Sequence, residues 1–188
     1  MTDSNLTKQA LAKSLKELMH EKPFEKITIS DIAGRCGLNR LTFYYHFKDK
    51  FDLMNWIYYT ETAQIMTQNL SLDDWTATIR ALCYYMQDNK SFYIKALSTT
   101  GQNSFPEYLL QYIRDITGAL VKKRKDIDKA NKKRVDFFIE FCSLALIGLI
   151  VRWAQNGMED DPGENIEMIK AIIDGTIMHE LIEPETSI

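Results

Sequence analysis

The sequence has 188 residues, of which 45% are apolar and 26% are charged. These proportions are ordinary for a globular protein and exclude a disordered chain. The N-terminus lacks the apolar core of a signal peptide. The longest apolar run, at 137–151, is shorter than the roughly 20 residues of a membrane span, and Glu140 interrupts it. We therefore expect a cytoplasmic protein that does not contact a membrane.

The net charge of −3 is unevenly distributed along the chain. Residues 1–50 carry nine Lys and Arg against six Asp and Glu, whereas the remainder carries fourteen against twenty. A small basic part on an acidic chain suits local contact with a polyanion. The three cysteines, Cys36, Cys83 and Cys142, are far apart and show no metal-site spacing, so no metal or cofactor is expected.

The pattern along the whole chain predicts an all-α fold. Glycine and proline are scarce, at eight and four residues, and no segment alternates as a strand would. Apolar residues at helical spacing from Thr7 to Met19 predict a first helix, which Pro23 ends. A long fourth helix begins near Asp49, and further helices are predicted at about 72–88, 91–98, 105–124, 129–156 and 163–182. We expect a three-helix head over 1–48 and a helical bundle over 49–188, about nine helices in all.

The second and third helices carry the signature of a helix-turn-helix. Thr28 is the predicted N-cap, and Asp31 at the third helical position completes a variant of the capping box. Gly37 provides a tight turn, and Asn39 can cap a third helix that runs to about Phe47. Two short helices joined by a turn containing glycine are typical of this motif.

The third helix has one apolar side and one aromatic, hydroxylated and partly basic side. At 3.6 residues per turn, Phe43 and Phe47 share the side that faces the core of the head. The remaining residues occupy the opposite side, the flanks and the first turn: Arg40, Leu41, Thr42, Tyr44, Tyr45 and His46. Such a face suits the major groove of B-DNA, which admits one helix. The alternative is that the two tyrosines pack half-buried against the first or fourth helix.

The stretch TISDIAGRCGLNRLTFYYHFKDKFDL, residues 28–53, resembles the DNA-binding segment of the TetR/AcrR family of bacterial transcription regulators. The resemblance rests on Thr28, Ile32, Ala33, Gly37, Thr42, Phe43, Tyr44, His46, Phe47, Lys50 and Leu53. The chain departs from the pattern at Cys36, where alanine is usual, at Asn39, where serine is usual, and at Leu41, where glycine is common. The last departure affects the side that faces the groove.

The resemblance implies a role for each residue of this surface. Thr42, Tyr44, His46 and Lys50 fall on positions that hold the DNA backbone, while Arg40 and Tyr45 fall on variable positions that read bases. Leu41 is placed to touch a thymine methyl group. Thr28 and Lys50 also begin helices, whose free N–H groups attract phosphate.

The last two predicted helices suit an interface between two copies of the chain. The run from 134 to 154 is apolar nearly all round, and a helix of that kind must be covered on most sides. The predicted contact residues are the small Ala145 and Gly148, followed by Ile169, Ile173 and Ile177. A homodimer is usual in the family, and it sets two recognition helices roughly 34 to 36 Å apart. The alternative is that these residues form a core within one chain.

The middle helices contain six aromatic residues that the resemblance would assign to an effector pocket: Trp75, Tyr84, Tyr85, Phe92, Tyr93 and Trp153. The alternative is that they are ordinary core residues. The C-terminal half also resembles regulators grouped with the dihydroxyacetone kinase operon activator, a group in which a protein partner can replace a ligand. The basic run at 121–134 is interpreted as a solvated connector, and the acids at 159–164 as helix capping.

We therefore predict a sequence-specific, dimeric DNA-binding transcription regulator that recognises a double-stranded operator. A small-molecule effector or a partner protein is expected to modulate it, and repression is the commoner outcome in the family. An enzyme is the main rival class, but the sequence has no HExxH, P-loop, nucleophile elbow or dinucleotide-binding fingerprint. A second rival is a dimeric sensor or adaptor that acts through a protein partner without binding DNA.

Overall fold

A computed structural model describes residues 3–69, 75–122 and 132–173 of the chain. Within these ranges the chain forms nine α-helices and one short 3-10 helix at Phe24–Lys26, so the all-α prediction is confirmed. The helices are α1 (Asp3–Glu21), α2 (Ile29–Arg35), α3 (Arg40–His46), α4 (Lys50–Asn69), α5 (Trp75–Asp88), α6 (Lys90–Leu97), α7 (Phe105–Lys122), α8 (Lys132–Gln155) and α9 (Pro162–Ile173).

The first helix begins four residues earlier than the apolar spacing predicts. α1 starts at Asp3 rather than at Thr7. Its first turn is polar and exposes Leu6, so apolar periodicity cannot detect it. The last predicted helix was expected to reach residue 182, and its part beyond 173 lies outside the described residues.

The head, formed by α1, α2 and α3, packs around apolar side chains that recur at helical spacing. Leu11 and Leu15 of α1 are fully buried, as are Ile32 of α2 and Phe43 of α3. The hydroxyl of Ser14 donates a 2.7 Å hydrogen bond to the carbonyl of Ile32, which ties α1 to α2 inside this core. The buried polar group is thereby satisfied.

The turn that joins α2 to α3 agrees with the sequence prediction. Thr28 accepts a hydrogen bond from the backbone N–H of Asp31, and the Asp31 carboxylate accepts one from the backbone N–H of Thr28, forming the capping box. Gly37 has a φ of +71°, the left-handed conformation that glycine adopts most readily. Asn39 caps α3 through the backbone N–H of Thr42 at 2.8 Å.

α4 leads from the head into the larger bundle without a break in the core. Leu53 and Ile57 are buried, and Tyr58 is surrounded by aromatic rings of α6 and α7. One continuous cluster of buried residues extends from Leu11 in α1 to Ile166 in α9. The head is therefore packed on the bundle rather than tethered to it.

α8 presents an apolar outer face. By length and composition alone it could cross a membrane, and 28% of its most apolar stretch is buried. α8 has 24 residues and is therefore longer than the apolar run at 137–151, whose length was too short for a membrane span. On its inner side, Arg114 of α7 forms a two-pronged ion pair with Glu140, at 2.8 and 2.9 Å. Asp161 caps α9 through the backbone N–H of Gly163.

Candidate nucleic-acid interface

The orientation of α3 follows the side-chain spacing predicted from the sequence. Phe43 is 0% exposed and packs against Phe47, whereas Tyr45 is 83% exposed and Leu41 is 80% exposed. Tyr44, on the flank, is 48% exposed. One side of α3 is therefore anchored in the core of the head, and the opposite side projects large side chains into solvent.

Local contacts order the residues around this exposed side. Thr42 is half-buried, and its hydroxyl and backbone N–H both donate to the Asn39 side chain, at 3.1 and 2.8 Å. The ring of Tyr45 stands edge-on to that of His46, with 4.9 Å between the centroids. Tyr44 is held edge-on by Phe43 at 5.8 Å. Arg40 lies in the first turn of α3 and is exposed, although the helical angle puts it near the core side.

The start of α2 is stabilised by ionic contacts. Asp31 accepts a 2.8 Å hydrogen bond from the ammonium group of Lys22 in addition to its bond with Thr28. The hydrogen bond from Lys22, followed by those from Thr28, lowers the pKa of the Asp31 carboxyl far below its ordinary value. Thr28 is exposed, and its hydroxyl oxygen takes part in the capping box.

Lys50, at the start of α4, is engaged within the protein. Its ammonium group lies within hydrogen-bonding distance of the carbonyl oxygens of Phe24, Glu25 and Ile27. Burial lowers the pKa of Lys50, and the charge of Glu25 opposes that shift. The family pattern assigns this position to the DNA backbone, but the side chain points to the segment that precedes α2.

Sequence reasoning missed one exposed cation on this surface. Lys48 lies between α3 and α4 with its side chain in solvent, and its backbone N–H donates to the Asp52 carboxylate at 2.9 Å. The only signal for it was its charge next to the aromatic helix. Lys8 of α1 is nearby, and its ammonium group lies 5.7 Å from the ring centroid of Phe47.

Polar contacts join the head to the bundle through α1. Lys16 of α1 pairs with Glu61 of α4 at 2.8 Å. The ammonium group of Lys95 in α6 donates to the carbonyls of Met19 and His20 at the C-terminal end of α1. Cations suit this end of a helix because its last carbonyls have no partner within the helix.

Within the described residues, the six aromatic residues predicted for an effector pocket are distributed over several places. Tyr85, Phe92 and Tyr93 meet in the core between α5 and α6, where Phe92 and Tyr93 are fully buried. Tyr84 is exposed and donates to Asp161 at 2.8 Å. Trp75 is half-buried at the start of α5.

Trp153 of α8 packs beside the segment that precedes α9. It is buried, and its indole N–H donates to the carbonyl of Asp160 at 3.1 Å. It borders a cavity of about 200 Å³ between α5, α8 and α9, whose lining contains none of the other five. Phe92, Tyr93 and Trp153 therefore belong to the buried core, and Tyr85 is partly buried against it.

The predicted dimer residues lie on or near an uncovered face. Ala145 and Gly148 are exposed on α8, and Ile169 on α9 is half-buried. The side chain of Ile173 and the whole of Ile177 lie outside the described residues. Gly148 borders a surface groove of about 470 Å³ along α8. The exposed side chains of α8 and α9 include seven large apolar ones: Phe137, Phe138, Phe141, Leu144, Leu149, Met168 and Ile172.

Two family models match the chain. The model of bacterial regulatory proteins of the tetR family matches residues 11–56, which include α2, α3 and the start of α4. The model of a transcriptional regulator C-terminal region matches residues 73–175, more than half of the chain. The chain belongs to the TetR family. The resemblance seen in the sequence is thus confirmed, and TetR-family proteins are transcription regulators.

Relatives within the TetR family match parts of this chain. The HTH-type dhaKLM operon transcriptional activator DhaS of Lactococcus lactis is 30% identical over 95 residues, which is 50% of this chain and 51% of DhaS. The transposon Tn10 TetC protein of Escherichia coli is 28% identical over 127 residues, 62% of this chain and 64% of TetC. The first alignment spans about half of the length of DhaS, and the second spans just under two thirds of the length of TetC.

Solved structures of TetR-family proteins share the fold over nearly the whole chain. The dihydroxyacetone kinase operon activator DhaS superposes with a TM-score of 0.64 at 21% identity, covering 92% of this chain and 96% of DhaS. NalD is the secondary repressor of the MexAB-OprM multidrug efflux pump in Pseudomonas aeruginosa. It superposes with a TM-score of 0.62 at 17% identity, covering 93% of this chain and 98% of NalD. At such identities the likeness concerns the fold.

Proposed function

We propose that this protein is a dimeric, sequence-specific DNA-binding transcription regulator that acts in the cytoplasm and has no enzymatic activity. One observation carries the proposal: α3 buries Phe43 and Phe47 and exposes Tyr45 and Leu41 on its opposite side. A short helix anchored in this way can enter a major groove, because no part of the head from residue 3 onward covers its outer face.

Two kinds of contact with DNA follow from this arrangement. Arg40 and Tyr45, with Leu41 between them, read base edges in the groove, while Tyr44 and His46 contact phosphates from the flanks. Thr28, which is exposed, and Thr42, which is half-buried, make the remaining contacts with the DNA backbone. Lys48 adds an exposed positive charge beside the same helix. Residues 1–48 form the DNA-binding head in this proposal, and residues 49–188 form the regulatory and dimerisation domain.

A second copy of the chain covers the outer face of α8 and α9. The large apolar side chains of this face are between 42% and 71% exposed in one chain, from Phe138 to Phe137. Exposed apolar surface on this scale is typical of a protein interface. A Cβ atom at Gly148 would meet nothing within 4 Å in one chain, which leaves room for a partner helix to approach closely. The dimer brings two heads to one operator.

The proposed regulation acts through the joint between α1 and the bundle. An effector or partner protein that moves α4 or α6 would change the contacts of Lys16 with Glu61 and of Lys95 with the end of α1. The angle between the two heads of the dimer would then change. This change shifts the equilibrium between a state that can bind DNA and a state that cannot. We propose repression as the outcome. The named relatives include both an activator and a repressor.

Fluorescence anisotropy with DNA from upstream of the protein's own gene tests the proposal. We expect binding that exceeds binding to a scrambled duplex of equal length, and that weakens steeply as salt rises, because protein cations displace counterions from phosphate. A reporter driven by the same DNA should rise when the regulator gene is deleted, whereas a fall would indicate activation. A dimer that binds no such DNA at low salt would favour the adaptor function instead.

A further inference from the structure

The Lys50 ammonium group is fully occupied by contacts inside the head. Its Nζ atom lies 2.7 Å from the carbonyl oxygen of Phe24, 2.9 Å from that of Ile27 and 3.2 Å from that of Glu25. The same atom stands 4.4 Å from the centroid of the Phe24 ring. An ammonium group has three N–H donors, so the three carbonyls use all of them.

These carbonyls belong to the segment that leads into α2. Phe24 and Glu25 lie in the 3-10 helix, and Ile27 directly precedes Thr28, the N-cap of α2. Lys50 is the first residue of α4. The contact therefore closes a loop of chain that contains all of α2 and α3, and it fixes where this loop begins relative to where it ends.

The neighbouring aromatic residue strengthens the same joint. The ring of Phe51 meets that of Phe24 edge-on, with 5.0 Å between the centroids. Phe24 is buried, and its ring forms a cation–π contact with the same ammonium group that binds the three carbonyls. An Lys50 side chain that turned to a phosphate would have to leave three charge-assisted hydrogen bonds and the face of this ring.

We propose that Lys50 is a positioning residue, which holds the helix-turn-helix in its DNA-binding geometry by clamping the entry of α2 to the start of α4. It does not contact a phosphate itself. This inference rests on the proposed DNA binding, and it departs from the role that the family pattern implies for this position. Lys50 supports the fit of α3 in the groove through the backbone of residues 24–27.

The salt dependence of DNA binding separates the two roles of a lysine. Lys50→Met keeps the length of the side chain but removes its charge and donors. We expect the Kd for the operator duplex to rise about tenfold, the effect of losing hydrogen bonds of a charged group. The slope of log K against log salt should stay at the wild-type value. A slope reduced by about 0.9 would mean that a phosphate contact has been lost, and would overturn the proposal.

Lys50→Arg provides a second, independent discrimination. A guanidinium binds phosphate well, but its planar fork does not match three carbonyls that converge on one point. We expect Lys50→Arg to bind operator DNA as weakly as Lys50→Met. Recovery of wild-type affinity in the arginine variant would contradict the clamp.

A measurement without DNA keeps this test separate from the test of function. Lys48→Met is the matched control, because Lys48 is an exposed lysine two positions away. We expect Lys50→Met to lower Tm by about 3 °C or more and Lys48→Met to leave it unchanged. Hydrogen exchange at the backbone amides of 28–32 should accelerate only in the Lys50 variant. If wild type binds no DNA, the proposed function fails, while equal Tm and exchange in the two variants would refute the clamp.

Discussion

The carboxylate of Glu61 on α4 accepts a 2.7 Å hydrogen bond from the hydroxyl of Tyr85 on α5. Its other oxygen binds the ammonium group of Lys16 on α1 at 2.8 Å. Burial, followed by the hydrogen bond to Glu61, raises the pKa of Tyr85 well above its ordinary value. One half-buried carboxylate thus joins the head to two helices of the bundle.

Removing one hydroxyl tests the strength of this joint. We expect Tyr85→Phe to lower the free energy of unfolding by about 1 kcal/mol, because the half-buried Glu61 oxygen loses a partner. Tyr84→Phe on the same helix is the control, since its hydroxyl bonds to Asp161 at the surface, where water replaces it. Urea denaturation of both variants provides the measurement. If both variants lose the same free energy of unfolding, the hydrogen bond between Tyr85 and Glu61 contributes no more to stability than a surface hydrogen bond.

The two adjacent tyrosines of α3 should differ in what they contribute to DNA binding. Tyr45→Ala should reduce discrimination between operator and scrambled duplex by about 1–3 kcal/mol, because a base contact is lost. Tyr44→Ala should weaken binding to both duplexes alike, since a phosphate contact carries no sequence information. Anisotropy titrations with the two duplexes measure both effects. Identical discrimination ratios in the two variants would contradict this division of roles.

The outer face of α8 can be tested at Gly148, where one chain leaves room for a side chain. Gly148→Glu should leave the fold of the monomer intact, because a Cβ there meets no atom within 4 Å. It should dissociate the dimer, since the added side chain would occupy the space through which a partner helix approaches and would bring a charge into an apolar interface. Light scattering coupled to gel filtration reports the mass. Leu6→Glu, an exposed leucine on α1, serves as the control and should remain dimeric. A Gly148→Glu dimer of wild-type strength would exclude this face.

The capping box of α2 makes a contribution to stability that depends on pH. The folded-state pKa of Asp31 is lowered from an ordinary 3.8, chiefly by the hydrogen bond from Lys22. A lowered carboxyl pKa stabilises the fold above the unfolded-state value, and this stability is lost as pH falls through the folded-state value. We expect Asp31→Asn to have a lower Tm than wild type at pH 7, with a difference that shrinks below about pH 4. A difference that is constant from pH 7 to pH 2 would argue against this account.

Local sequence determined the helices, their caps and the orientation of α3. Apolar spacing of about 3.6 residues fixes which side of a helix is buried, and the spacing of Phe43 and Phe47 therefore determined that Tyr45 faces outward. Capping depends on residues three positions apart, so Thr28 with Asp31 and Asn39 with Thr42 could be predicted without a fold. These features need no knowledge of other helices.

The tertiary structure alone decided which distant residues meet. Lys50 reaches carbonyls at 24–27, and Glu61 joins Lys16 to Tyr85. Phe92 and Tyr93 lie in the core, whereas Tyr84 is exposed and bonds to Asp161. Periodicity gives the direction of a side chain about its own helix axis. It contains no information on the angle and distance at which another helix crosses, and these determine the partners of each polar group.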